Sequence, residues 1–538
     1  MRMTAHGRLA NRLRRRNLSS KHHHGGGTGS ATQVGTAKTG GGSPSTSRQG
    51  TVDFELSPWI PTTVDPFDAK KAAHLLRRAG FGAMPTEIDA ILKVGVHRTV
   101  DLLTIPSNWG LQEYGSQMLP SGEVINVSQN VAYQRAQWVF EAVTTHFPLK
   151  EKMALFWHDH FSVGINNNTY TPMSVPHVNI FRRHGLGKFR DVLVEVARDP
   201  AMLFWLDNRI NGASGRINEN WGRELNELYT QGEGSGYTES DVKATSACFA
   251  GWSLINYNKY FYNTTYARAG AGSKTLLGQT IYNPTNQEQE GYQAIDVLLS
   301  QKATSEYVVR KIWSYFVAER PETNAVEQKL WDDIVVELAK RWKESGYDIR
   351  GLMSVILRCN YFNSSRAMRK LVKNPMEYTV GAIRALGAPT IGRYSLLGTR
   401  VELMGLPLFR YSNPSGLSDG TAWIDSQALI NRYNFVDDLT QVSTTADFRT
   451  SWDPLVEVQR KSLYTSKAIV DHFVSILVDD AITSTVRQNL YDYMDYIDGT
   501  PTKQYVPYDS LPTNSQYRPA KIRGLVALIM ILPEFNIN

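Results

Sequence analysis

Four side chains in this 538-residue sequence have the types and spacings to do chemistry together: His158 and His160 in FWHDHFSVG, and Glu224 and Glu227 in RELNELYTQGEG. Imidazole is the commonest metal ligand. Two imidazoles and two carboxylates between helices suit a divalent cation, the logic of carboxylate-rich helix-bundle centres, and a metal-activated water there would make the protein a hydrolase. The spacing weighs against a shared site. At roughly 100° per residue, positions two apart on a helix point about 200° from each other. Met153, Phe156, Trp157 and His160 therefore form one stripe, and His158 faces the other way. Joint ligation requires the helix to unwind at residues 158–161, for which Gly164 and the run Asn166, Asn167 and Asn168 leave room. Without unwinding, His160 is a hydrogen-bonded core histidine.

Glu224 and Glu227 are three apart and share a helical side. The apolar stripe of that helix is Ile217, Trp221, Leu225 and Leu228, which puts Glu224 at its edge and Glu227 on its flank. A carboxylate at an apolar edge must pair, bind a cation or shift its pKa. Arg223, Arg77 and Arg78 are the expected partners for a structural ion pair. The glycine-rich run Gly232 to Gly236 follows a helix and lacks the lysine of a phosphate loop, and Thr238 to Asp241 reads as a capping box. No GxSxG elbow, HExxH or kinase set is present. Trp252, Trp313 and Trp423 could stack on carbohydrate, but at helical spacing they read as core. Cys248 and Cys359 form no CxxC pair, which excludes a thiolate zinc site and a disulfide framework.

The elements that position these residues are helices. Apolar periodicity predicts them over Ala69–Arg78, Thr86–Val94, Ala132–Thr145, Leu149–Phe161, Arg190–Ala197, Ile217–Tyr229 and Glu239–Gly251. The second half adds Ala294–Leu299, Glu306–Val317, Val326–Lys343, Leu352–Cys359, Pro375–Ala385, Ile424–Tyr433, Ser466–Leu477 and Ala520–Leu532. Gly80 and Gly95 close the first two, around a tight Phe81-Gly82 turn. Few runs alternate with period two, and no fixed repeat appears. Polar loops are expected at 108–130, 256–289, 392–419 and 500–518, long enough to carry contacts of their own. The expected fold class is mainly α: a large multi-helix globular body over residues 53–538, of one or two lobes, with long irregular loops.

Composition bounds the function. With 42% hydrophobic and 20% charged residues and 2 Cys, the chain is no collagen, coiled-coil rod or disulfide-stapled miniprotein. The net charge of +7 belongs to residues 1–50, which carry nine Arg and Lys and no Asp or Glu, leaving 49 basic against 51 acidic residues in the body. That near-neutral body weighs against a nucleic-acid-binding domain. Residues 1–52 read as a basic, Gly/Ser/His-rich arm, disordered alone or ordered in an assembly. Its Arg14-Arg15-Arg16 run is followed by polar residues, so it fails as a Sec or Tat signal. His22, His23 and His24 read as a spacer, with weak metal binding as the alternative. The longest apolar run, Gly524 to Leu532, is about half of what spans a bilayer, so no transmembrane segment is expected.

From AAHLLRRAGFG (72–82) onward the sequence resembles one family. FWHDHFSVG (156–164), RELNELYTQGEGSGYTESDV (223–242), GW (251–252), VVRKIWSYFV (308–317), SGYDIRGLMSVIL (345–357), KNPMEYTVGAIRALG (373–387), SNPSGLSDGTAWIDSQALINRYNF (412–435) and IRGLVALIMILPEF (522–535) follow in order. Together they resemble the bacterial family filed as domain of unknown function 1800. The resemblance implies a fold and candidate positions rather than an activity. It also implies export and a sulfatase- or phosphatase-like partner. This chain departs from the pattern in lacking a hydrophobic signal, and in having Ala269-Gly270 where relatives commonly carry His-Asp. Both departures favour a structural or interaction protein, engaging protein partners or further copies of itself through the scaffold, the loops and the arm, in an assembly or a virus particle. The alternative is a metal-dependent hydrolase with His158, His160, Glu224 and Glu227 around a divalent metal.

Overall fold

The computed structural model describes residues 50–538, apart from 106–109, 112, 114, 120–122, 129, 165–170, 257, 388–393, 418–419, 441–451, 453, 499–502 and 513–516. The described residues are 62% helical, the mainly α fold that the apolar periodicity predicts. Its sheets, among the described residues, are four two-stranded antiparallel hairpins. The arm up to residue 49 and the Asn166 to Asn168 run lie outside the described residues.

Capping chemistry sets the helix starts. Asp68 accepts the Lys71 N–H to open Ala69–Arg78, and Gly95, at φ 83°, stops Pro85–Val94. The capping box read at Thr238 and Asp241 opens Glu239–Cys248, and Asn374 with Glu377 does the same for Pro375–Ala385. Helix ends otherwise differ from the sequence reading by a few residues: Pro148–His160 for 149–161, Gln289–Ser300 for 294–299 and Ile349–Arg358 for 352–359.

The expected loops hold more structure than their polarity suggests. The 392–419 stretch contains the helix Tyr394–Leu403, whose Tyr394, Leu397 and Val401 are buried against Val131–Thr144. The 108–130 stretch folds back as Ser116–Met118 paired with Val124–Asn126, and 256–289 contributes Lys259–Tyr262, Lys274–Leu276 and Gln279–Ile281.

A contiguous cluster of buried side chains runs from Leu56 to Phe535. Its largest members include Trp138, Trp157, Trp221, Trp252 and Trp313, and Trp423 is also buried, so all three tryptophans weighed as a carbohydrate platform are core. Cys248 and Cys359 are free and buried. The Phe81-Gly82 turn is tight for a reason invisible in sequence. Gly82 sits at φ 129°, and a Cβ there would lie 2.9 Å from the Cα of Gly381, so two distant backbones touch where only glycine fits. Among the described residues no helix is long and apolar enough to cross a membrane.

Candidate functional site

The end of the helix Pro148–His160 is where the motif residues gather. His158, Asp159 and His160 occupy its last turn, and the helix stays regular through His160, so the unwinding that would let both imidazoles face one ligand does not occur. Each histidine is buried, and each goes its own way. The Phe409 N–H donates to Nε2 of His158 at 3.1 Å. The Nε2 of His160 meets the Tyr229 carbonyl at 3.1 Å, so here the ring nitrogen is the donor. The Leu417 N–H donates to Oδ1 of Asp159 at 3.0 Å, and Ser162 Oγ donates to the Asn413 carbonyl at 3.0 Å. Gly164 lies so close to the Tyr411 carbonyl and the Trp205 ring that any side chain would collide with both. Residues 409–417 thereby wrap one flank of the helix end, and the turn carrying Tyr229 closes another.

Burial governs the protonation of this hub. It drives His158 well below the usual imidazole range, helped by neighbouring His177. It drives His160 down likewise, with Lys311 adding to the effect and the Tyr229 carbonyl opposing it. Asp159 is pushed up by burial against the pull of Lys311 and the Leu417 N–H. Both histidines are neutral imidazoles at physiological pH.

A second imidazole that the sequence reading missed lies beside His158. His177, on the unanticipated helix Ser174–His184, donates from Nδ1 to Asp199 at 2.6 Å, and the same Asp199 caps the helix Pro200–Trp205. The rings of His158 and His177 are 5.7 Å apart and edge-to-face. Because Nε2 of His158 accepts the Phe409 N–H, its Nδ1 carries the hydrogen, and neither that atom nor Nε2 of His177 has a partner. The Asp199-Pro200 pair was a readable helix start; nothing local links residue 177 to residue 199.

The Glu224 and Glu227 pair sits elsewhere on the hub's edge. The predicted single helix 217–229 is instead an α-helix Asn220–Glu224 followed by a π-helical turn, Leu225–Thr230. Thr230 Oγ1 bonds the Leu225 carbonyl at 2.6 Å, and Asn226 Nδ2 bonds the Gly222 carbonyl at 2.7 Å and Thr245 Oγ1 at 3.0 Å, which holds the widened turn. Glu227 pairs with Arg223 at 3.2 Å, in a cluster where Arg223 also meets Glu219 and Glu239. Glu224 makes no ion pair or hydrogen bond among the described residues, so the structural pairing expected for it is not found. Arg77, offered as its partner, is bound to Asp479 instead. Burial, with Glu227 adding repulsion against Arg223, raises the Glu224 carboxyl above the ordinary range.

The four sequence candidates therefore do not converge. His158 looks into an aromatic pocket of Trp138, Phe409 and Tyr411, His160 stacks on Phe156 toward Tyr229, and Glu224 and Glu227 lie where the 220–224 helix passes into the π-turn. Among the described residues no three His, Cys, Asp or Glu side chains group so as to hold a metal ion. What the site offers chemically is two neutral imidazoles with unspent ring nitrogens and one half-buried carboxyl that holds its proton unusually well.

The body is mainly helical, and its motif helix is pinned by the 409–417 strap and by the π-turn that carries Tyr229. The family described as protein of unknown function (DUF1800) matches residues 74–537, nearly the whole chain, and the chain belongs to it. No curated protein and no solved structure matches.

Proposed function

We propose that this is a structural or interaction protein, a helical scaffold whose basic N-terminal arm and long loops engage partners in an assembly. The observation that carries this reading is the use of the motif imidazoles. His158 and His160 each commit a ring nitrogen to the backbone of a segment distant in sequence, inside a buried hub, which is how fold-holding histidines are employed. An arm with nine basic and no acidic residues beside a near-neutral body fits an acidic partner surface.

A second reading has one specific support. Glu224, half-buried and unpaired at the end of the helix that runs into the π-turn, has the environment of a general acid, which is what a hydrolase would need.

The test separates them. Elemental mass spectrometry on protein lacking residues 1–50 is expected to find no near-stoichiometric metal, and native mass spectrometry is expected to find a defined oligomer or complex that changes when the arm is removed. Near-stoichiometric metal that disappears in His160→Ala or Glu224→Ala would overturn the structural reading and favour the hydrolase.

A further inference from the structure

Behind the Gly82–Gly381 contact lies a junction with more buried positive charge than its carboxylates offset. Arg77, Arg78, Lys152 and Lys373 are all buried, and Arg369 is nearly so. The buried carboxylates facing them are Asp479 and Glu377. Asp479 is shared: Arg77 binds it at 2.5 and 3.1 Å, and Arg369 at 3.1 Å. Glu377 is taken by Lys152 and by the Asn374 N–H of its own capping box. Arg78 reaches only carbonyl oxygens, Ala367 at 2.6 Å and Asn538 at 3.2 Å, and its Nε and Nη1 have no partner. Even with a carboxylate at Asn538 counted, the cations remain in excess.

Lys373 is the extreme case. Its backbone is fixed by pairing with the 536–538 strap, where the Lys373 N–H donates to the Asn536 carbonyl at 2.8 Å. Its Nζ lies 3.8 Å over the Phe535 ring and makes no hydrogen bond or ion pair among the described residues. Burial, with Arg77 and Arg369 adding repulsion, lowers its proton affinity well below that of an ordinary lysine. Guanidinium groups do not give up their protons, so Arg77, Arg78 and Arg369 keep the field positive. An unpaired buried charge is among the most costly features a fold can carry. A cavity of about 20 Å³ lies here, lined by Arg77, Lys373, Glu377, Phe81 and Phe535. That is room for about one water-sized particle.

We propose that this cavity binds a single small monovalent anion of about chloride size, held between Lys373 Nζ and Arg77, as a structural ion joining helix Ala69–Arg78, helix Pro375–Ala385 and the C-terminal strap. A space of that size favours a monatomic ion over sulfate or phosphate. Glu377 on the wall keeps its charge turned to Lys152, which leaves the Lys373 and Arg77 side as the attractive face.

The experiment is thermal unfolding of the full chain at fixed ionic strength while chloride is exchanged for gluconate, together with the linewidth of chloride-35 in the presence of folded protein. The expected result is a midpoint that rises with chloride and saturates, reproduced by bromide and not by sulfate, with excess chloride-35 broadening that bromide competes away. Lys373→Met removes one charged donor and is expected to weaken chloride binding by about tenfold or more. A wild-type midpoint and linewidth indifferent to chloride would overturn the proposal, as would a Lys373→Met protein that keeps the full chloride response. Should Lys373→Met fail to fold, the wild-type bromide competition decides alone.

Discussion

At the end of the Pro148–His160 helix, His158, Asp159 and His160 are buried, and their polar contacts run to main-chain groups of other segments. On the neighbouring 219–230 stretch the charged residues are partly exposed, and Arg223 shares itself among Glu219, Glu227 and Glu239 while Glu224 is left over. The two regions lie side by side and use similar side chains. What differs is water. Where water is excluded, a polar atom is held by one fixed partner and losing that partner leaves an uncompensated group; where water reaches, carboxylates exchange partners and none is indispensable.

That contrast is broken most directly at Asp199. Asp199→Ala strips His177 of its carboxylate and the Pro200–Trp205 helix of its cap, and is expected to cost about 3 kcal/mol or more in chemical denaturation. A loss of only a few tenths, the scale of an exposed ion pair, would erase the distinction between the regions. His158→Phe keeps a ring in the aromatic pocket but leaves the Phe409 N–H without its acceptor, and is expected to cost about 1–3 kcal/mol by the same measurement.

Acid sharpens the comparison. His74, His158 and His160 are held neutral by burial in the folded state, while in the unfolded chain they protonate below about pH 6.5. The unfolded state then binds more protons, so stability is lost as pH falls below about 6.5, by up to about 1.4 kcal/mol per pH unit for each such histidine. Asp159 and Glu224, whose carboxyls are raised, act in the opposite sense, because they take up protons in the folded state first. Denaturant midpoints between pH 7 and 5 are expected to fall, and less steeply in His160→Gln than in wild type. The smallest effects lie on the exposed side. Glu224→Gln is expected to stabilise by a few tenths of a kcal/mol and Glu227→Gln to destabilise by a similar amount that fades in high salt, since solvent screens both.

The sequence made the helical frame legible wherever caps and periodicity agreed, as at Asp68, Gly95, Thr238 and Asn374. It also made legible that His158 and His160 point apart, which follows from helix geometry alone. The π-turn at Leu225–Thr230 was hidden because one inserted residue leaves the apolar pattern nearly unbroken while rotating everything after it. The His177–Asp199 bond was hidden because its partners sit on different helices, and the 394–403 helix because its two glycine-flanked ends read as loop. Local rules carry the elements; the partners of buried polar atoms are set by packing.

The meeting of Gly82 with Gly381, reinforced by Arg384 donating to the Gly82 carbonyl at 3.0 Å across 302 residues, has a consequence in time. At about 5–20 residues per second, a ribosome takes about 15–60 s to deliver the second half of that contact after the first. Throughout that interval the apolar face of Ala69–Arg78 has no final resting place. Biogenesis of this protein is therefore a holding problem before it is a folding problem, and its expression should respond to chaperones that shield early helices.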